Sequence, residues 1–128
     1  MTELVTRHSA HPPAETVERL EKAIREKGIT LFARIDHSGG AAAVGMPLRF
    51  TQLLIFGNPK AGTPLMQSDQ TIGIDLPLKI LVWQDDRGDV RVGYRDPARL
   101  AARHGVTDRG DVVSALSKAL SGLVESVT

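Results

Sequence analysis

Hydrophobic and polar positions along this chain repeat at two periods, and the change of period divides it into helices and strands. Val17, Leu20, Ile24 and Lys27 recur at helical spacing with Ala23 beside them, which predicts a helix over about Ala14 to Lys27. Glu15 and Glu18 in its first turn and Lys27 in its last suit the helix dipole, and Gly28 stands just past the end. From Ile29 to Asp36 the period falls to two. Ile29, Leu31, Ala33 and Ile35 alternate with Thr30, Phe32, Arg34 and Asp36, the pattern of a strand with one apolar face turned to a helix layer. Ser38 can then cap a short helix through Ala41–Val44, which the neighbouring Gly39 and Gly40 weaken. Gln52 to Phe56 carries the unbroken apolar run Leu53, Leu54, Ile55 and Phe56, consistent with a strand buried on both faces.

The second half is punctuated by turn residues. Gly57, Asn58 and Pro59 end the second strand, and Thr63 followed by Pro64 has the form of a helix start. Ile72, Ile74 and Leu76 alternate like a strand, but Gly73 and Pro77 oppose a long one. Lys79–Gln84 and Val90–Tyr94 flank the turn Asp86-Arg87-Gly88-Asp89 and form a hairpin. Asp96 and Pro97 open another helix ending near Gly105. Asp111 caps the last one, whose stripe of Val112, Leu116, Ala119, Leu123 and Val127 is widened by Val113, Leu120 and Val124. The connection over residues 37–51 has the length of a parallel crossover. The expected architecture is a single α+β domain over residues 14–128. It has about four strands in a mixed sheet, helices mainly on one face, and residues 1–13 as a flexible N-terminal tail.

A chain of 128 residues is one domain's length and can bury a core without metal or disulfide. There are no cysteines, which excludes disulfide scaffolds, thiolate metal sites and cysteine nucleophiles. The net charge is +1 and basic residues are spread along the whole chain, so nothing resembles a concentrated phosphate-binding segment and no nucleic-acid partner is expected. No apolar run approaches a membrane span, and the N-terminus lacks the apolar core of a signal peptide. The expectation is a cytoplasmic protein with no membrane partner and no cofactor.

Candidate chemistry lies mainly on two loops. Asp36 and His37 end the first expected strand. A histidine beside a carboxylate can serve as a general base or as a metal ligand, although Asp36 can equally accept helix amide hydrogens. The Gly57–Thr63 loop runs from a buried strand to a helix start, where backbone amides and Lys60 could hold an anion; it lacks the ending of a P-loop. If the two strands are parallel, both loops leave one edge of the sheet and gather Asp36, His37, Ser38, Asn58, Lys60 and Thr63 into one ligand site. Asp75, set among apolar residues, needs a partner such as Arg49, Lys79 or a backbone cap. His104 is accounted for by the helix end on which it sits. His8 and His11 have no third ligand nearby, Ser38 and Ser114 no triad context, and Trp83 and Tyr94 read as core or hairpin residues. No metal is expected.

Four ordered blocks then carry a resemblance. IDHSGGAAAVGMPLR (35–49), LLIFGNPKAGTPLMQ (53–67), IGIDLPLKILVW (72–83) and the YRDPARLAARHG that follows the hairpin together resemble the domain of unknown function DUF302 family over roughly residues 15–106. The chain departs from that pattern at Arg95, where a small polar residue such as Asn is expected. The resemblance implies a compact α+β domain that self-associates, and no reaction, cofactor or partner. With few edge guards on its apolar strands, a twofold homodimer is the expected assembly. Function is unknown on this reading. A small-ligand or anion-binding module leads. An enzyme using Asp36 and His37, and a structural or regulatory protein–protein interaction domain, are the alternatives.

Overall fold

In the computed structural model, which describes residues 3–128, five strands form one sheet in the order β1-β5-β4-β3-β2. The strands are β1 (Leu4–Ser9), β2 (Thr30–Asp36), β3 (Thr51–Gly57), β4 (Leu78–Gln84) and β5 (Val90–Arg95), and every neighbouring pair is antiparallel. The helices are α1 (Pro13–Glu26), α2 (His37–Ala43), α3 (Pro59–Ser68), α4 (Pro97–Arg103) and α5 (Gly110–Val127), with a 3-10 helix at Gln70–Ile74.

Alternation builds the core. Leu54 and Phe56 of β3, Ile80 and Val82 of β4, and Val92 of β5 are fully buried against Val17, Leu20 and Ile24 of α1 and Leu120, Leu123 and Val124 of α5. A second cluster joins Leu65, Ile72, Ala101, Val106, Val113 and Leu116, and ties α3, the 3-10 helix and α4 to the first half of α5. The opposite face of the sheet carries Leu53, Ile55, Leu81 and Trp83, which stay partly exposed. Gly93 sits in this face because a Cβ there would lie 3.0 Å from Cζ3 of the Trp83 ring.

Three expectations are corrected. The sheet has five antiparallel strands, not about four in a mixed arrangement. The fifth comes from the expected tail: residues 4–9 pair with β5 from Leu4↔Arg95 to Ser9↔Val90. Val5 packs on the core, and buried Ser9 hydrogen-bonds Thr16 of α1 at 2.7 Å. Only Val5 and Leu4 are apolar in this strand, so its period of two was hidden.

β2 and β3 are antiparallel, with Thr30 opposite Gly57 and Asp36 opposite Gln52. The 37–51 connection has crossover length, but a crossover helix must bury a face on the sheet. α2 is made of small residues and buries none of them, so the chain simply turns back. The third correction concerns α3. It starts at Pro59 behind an Asn58 cap, with Pro64 inside it, so Thr63-Pro64 marks no start. Phe32 sits at a register shift in β2 and is 54% exposed.

Gly93→Ala is expected to cost about 1–3 kcal/mol through overpacking against Trp83. Urea unfolding followed by circular dichroism should show a smaller penalty for the same change in a Trp83→Ala background. Equal penalties in both backgrounds would contradict the packing account.

Candidate functional site

The antiparallel register decides where the expected site residues stand. Asp36, His37 and Ser38 follow the end of β2, beside Gln52, whereas Asn58, Lys60 and Thr63 follow the other end of β3. The step from Gln52 to Gly57 alone spans roughly 17 Å at about 3.4 Å per residue. The two groups therefore leave opposite ends of the sheet and do not form the shared pocket expected from parallel strands.

Each group is also spent locally. The Asp36 carboxylate accepts from Ser38 Oγ at 2.7 Å and from the Gly39 amide at 2.8 Å. The Gly39 amide, then the Ser38 hydroxyl, hold its carboxyl below the ordinary range. Asp36 is thus a helix cap, and exposed His37 makes no hydrogen bond or ion pair among the described residues. Asn58 Oδ1 accepts from the Lys60 amide at 3.0 Å, and the Asn58 carbonyl takes the amides of Ala61 and Gly62. Pro59 has no N–H, so the amides that could hold an anion at the start of α3 already have acceptors. Asn58, Lys60 and Thr63 are exposed on the rim of apolar pockets.

A different arrangement lies at the Gly57 end, one strand further in. β4 pairs with β3 as far as Leu78, and β5 pairs with β1 as far as Arg95. The ladder between β4 and β5, however, runs only from Gln84↔Val90 to Leu81↔Gly93. Beyond that pair the sheet forks. A pocket of about 250 Å³ occupies the fork, walled by Leu78, Lys79 and Leu81 on one side and by Gly93, Tyr94 and Arg95 on the other, with Leu100 of α4 and Leu120 of α5 behind. Leu4, Leu53 and Asp75 complete it.

The charges in the fork are distinctive. Lys79 Nζ donates to two main-chain carbonyls, of Pro77 at 3.0 Å and Asp75 at 3.4 Å, and to no carboxylate. An ammonium has three donors, so one remains. Arg95 is exposed, and its guanidinium has no acceptor among the described residues. Tyr94 is 7% exposed and its hydroxyl likewise makes no hydrogen bond there. The one carboxylate, Asp75, is engaged elsewhere: Asp75 Oδ2 lies 2.6 Å from His104 Nε2. His104 Nδ1 lies 3.0 Å from Thr71 Oγ1, whose own hydroxyl donates to Asp69. Both ring nitrogens of His104 therefore have a partner.

This chain of contacts clamps the segment after the 3-10 helix to the end of α4, and so fixes the fork's outer wall. The hydrogen bond from His104 holds the Asp75 carboxyl below the ordinary range against its desolvation. Sequence reasoning identified Asp75 as needing a partner but named Arg49, Lys79 or a backbone cap. The actual partner is 29 residues away, and no spacing links them. Among the described residues, no group of three or more His, Asp or Glu side chains is placed to hold a metal.

A two-layer α+β domain with an antiparallel sheet, one face under helices and a fork between two of its strands, is the class of protein that this geometry defines. A family profile for the domain of unknown function DUF302 matches residues 5–125, and the chain belongs to that family. The match extends past the 15–106 blocks at both ends, taking in most of β1 and nearly all of α5. The crystal structure of an uncharacterized conserved DUF302 protein from Bacillus stearothermophilus superposes with a TM-score of 0.88 over 100% of both chains at 19% identity, which shows the same fold. Two curated relatives are named fluoride-specific ion channel FluC 1. The one from Brucella suis biovar 1 (strain 1330) is 47% identical over 109 residues, 85% of this chain and 43% of that protein. The one from Brucella abortus biovar 1 (strain 9-941) is 47% identical over the same length and 40% of that protein. The chain thus spans about two fifths of the length of these relatives. Among its described residues no helix is long and apolar enough to cross a membrane.

The lowered Asp75 pKa fixes the sign of an acid effect. A carboxyl depressed in the folded state contributes stability that is present above its unfolded value, about 3.9, and is lost as pH falls through the folded value. The stability difference between the chain and Asp75→Asn, measured by urea unfolding, should therefore shrink as pH is lowered from 5 to 2. A difference that stays constant across that range would contradict the Asp75–His104 contact.

Proposed function

We propose that this domain is a small-ligand module that binds an anion in the β4–β5 fork. The observation that carries the proposal is the fork itself, a pocket lined by Lys79 and by an Arg95 with no acceptor among the described residues, whose only carboxylate is tied to His104. A carboxylate or phosphate placed there meets a planar guanidinium able to bind it bidentately and an ammonium with a free donor. The leucines around it lower the local dielectric and strengthen both contacts. The proposal keeps the anion-binding reading of the sequence and moves it from Asp36, His37, Ser38, Asn58, Lys60 and Thr63 to Lys79 and Arg95. An enzymatic role for Asp36 and His37 loses support, because the Asp36 carboxylate is bonded to Ser38 and Gly39 and not to the His37 ring.

Isothermal titration with acetate, phosphate and fluoride tests this reading. The expected result is saturable binding of acetate or phosphate, weakened about tenfold or more, ~1.4 kcal/mol, by Arg95→Gln or Lys79→Gln and unchanged by His37→Ala. Loss on His37→Ala or Lys60→Gln, with Arg95→Gln neutral, would place the anion elsewhere. No saturable binding of any of the three would end the reading. Fluoride belongs in the set because the Brucella relatives are named fluoride-specific ion channels. Binding of fluoride alone would favour a second reading, a domain that works beside such a channel.

A cytoplasmic homodimer completes the proposal. The partly exposed apolar face of Leu53, Ile55, Leu81 and Trp83 is a surface that a second copy could cover, and it borders the fork at Leu53 and Leu81. Light scattering at micromolar concentration is expected to give twice the chain mass; a 13.8 kDa species alone would reject the dimer.

A further inference from the structure

We propose that the anion bound in the fork carries an unbranched apolar tail, and that Leu78 sets the length of tail the protein accepts. The inference rests on the anion-binding reading of the fork and adds the chemical class of ligand to it. Three pockets meet at Leu78. One is the fork. The second, about 230 Å³, lies between the β3–α3 loop and the 3-10 segment and is bounded by Phe32, Met66, Leu76 and Pro77. The third, about 380 Å³, lies under the start of α3 against Ala115, Leu116 and Ala119 of α5. Leu78 lines all three.

The second and third pockets also share Gly57, Ala61 and Leu116, so they adjoin along the start of α3. The fork shares only Leu78 and Leu120 with the third pocket and only Leu78 with the second. Leu120 is locked in the core at 1% exposure, whereas Leu78 is partly exposed. Leu78 is therefore the partition between a cationic compartment and an apolar one.

The apolar compartment owes its space to missing side chains. Gly57, Gly62 and Gly73 all line the second pocket. A Cβ at Gly62 would come no closer than 3.8 Å to Leu76 and Met66, so that site is open to filling without strain at the backbone. The walls there are aliphatic or aromatic, and the polar side chains, Asn58 and Thr63, are exposed. A head group held by Lys79 and Arg95 with a tail passing Leu78 matches each compartment with the chemistry it can satisfy. A bare anion uses only the first. A free single-chain carboxylate and the head group of a membrane lipid share this chemistry. Pockets of about 230 and 380 Å³ suit one chain better than the two of a bilayer phospholipid, which favours the free amphiphile.

Titration of the full chain with straight-chain carboxylates from acetate to decanoate tests the inference. Affinity should rise roughly fourfold for each added methylene and then level off. Leu78→Ala should move the plateau to longer chains, and Leu78→Phe to shorter ones. Gly62→Val, which fills the second pocket from the other side, should also shorten the accepted chain and serves where a Leu78 variant fails to fold. Affinity independent of chain length, with acetate still bound through Arg95 and Lys79, would overturn the inference and leave the anion site standing. Absence of all carboxylate binding would overturn both. Sedimentation of the chain with phosphatidylglycerol vesicles, unaffected by an excess of the best carboxylate, would assign the site to a membrane surface instead and overturn the free-amphiphile proposal.

Discussion

The unequal reach of the two ladders on β4 is the constraint on which the rest of this structure depends. β3 holds β4 along its whole length, while β5 releases it after Leu81↔Gly93 and follows β1 instead. A fully zipped sheet would set Lys79 directly opposite Arg95, two cations across one strand pair, and like charges in that position are destabilising. Parting the strands separates those cations and opens a gap. The gap is backed by Leu100 and Leu120, and one side is walled by the segment that His104 pins through Asp75. Strand divergence, the pairing of Asp75 with His104 and the position of Arg95 thus belong to one arrangement at one end of the sheet.

β1 is what makes the divergence possible. An antiparallel partner along all of β5 holds Tyr94 and Arg95 in register on their other edge, so β5 can leave β4 without losing its strand geometry. Ser9 and Thr16 then fasten the far end of β1 to α1, and Val5 adds to the core. The segment expected to be a loose tail is therefore the outer rail of the candidate site.

Most of the elements were legible in the sequence, because burial on one face writes a period into each. The stripe of α5, the β4–β5 hairpin and the cap at Asp96 followed from local chemistry, whereas α3 is capped by Asn58, five residues before the start that Thr63-Pro64 suggested. The direction of β2 against β3 was not legible, since connection length is compatible with a crossover or a return, and only the lack of large apolar residues in α2 distinguishes them. β1 was hidden because an edge strand with one anchoring Val5 has little alternation to show. The candidate site was the least legible part. Lys79 and Arg95 lie on different strands, and their common position depends on a ladder that stops early. Asp75 and His104 meet only through tertiary packing. The one cue was Arg95, a large cation where the family pattern leads one to expect a small polar residue.

The central claim is that the fork, rather than either loop, holds the anion. The most direct measurement is a map of backbone amide shifts in the isotope-labelled chain during titration with a short carboxylate. The account predicts the largest changes at Lys79, Gly93, Tyr94 and Arg95, with His37 and Gly39 still. Changes concentrated at Lys60 to Gly62 or at His37 to Gly40, with the fork residues unmoved, would contradict it.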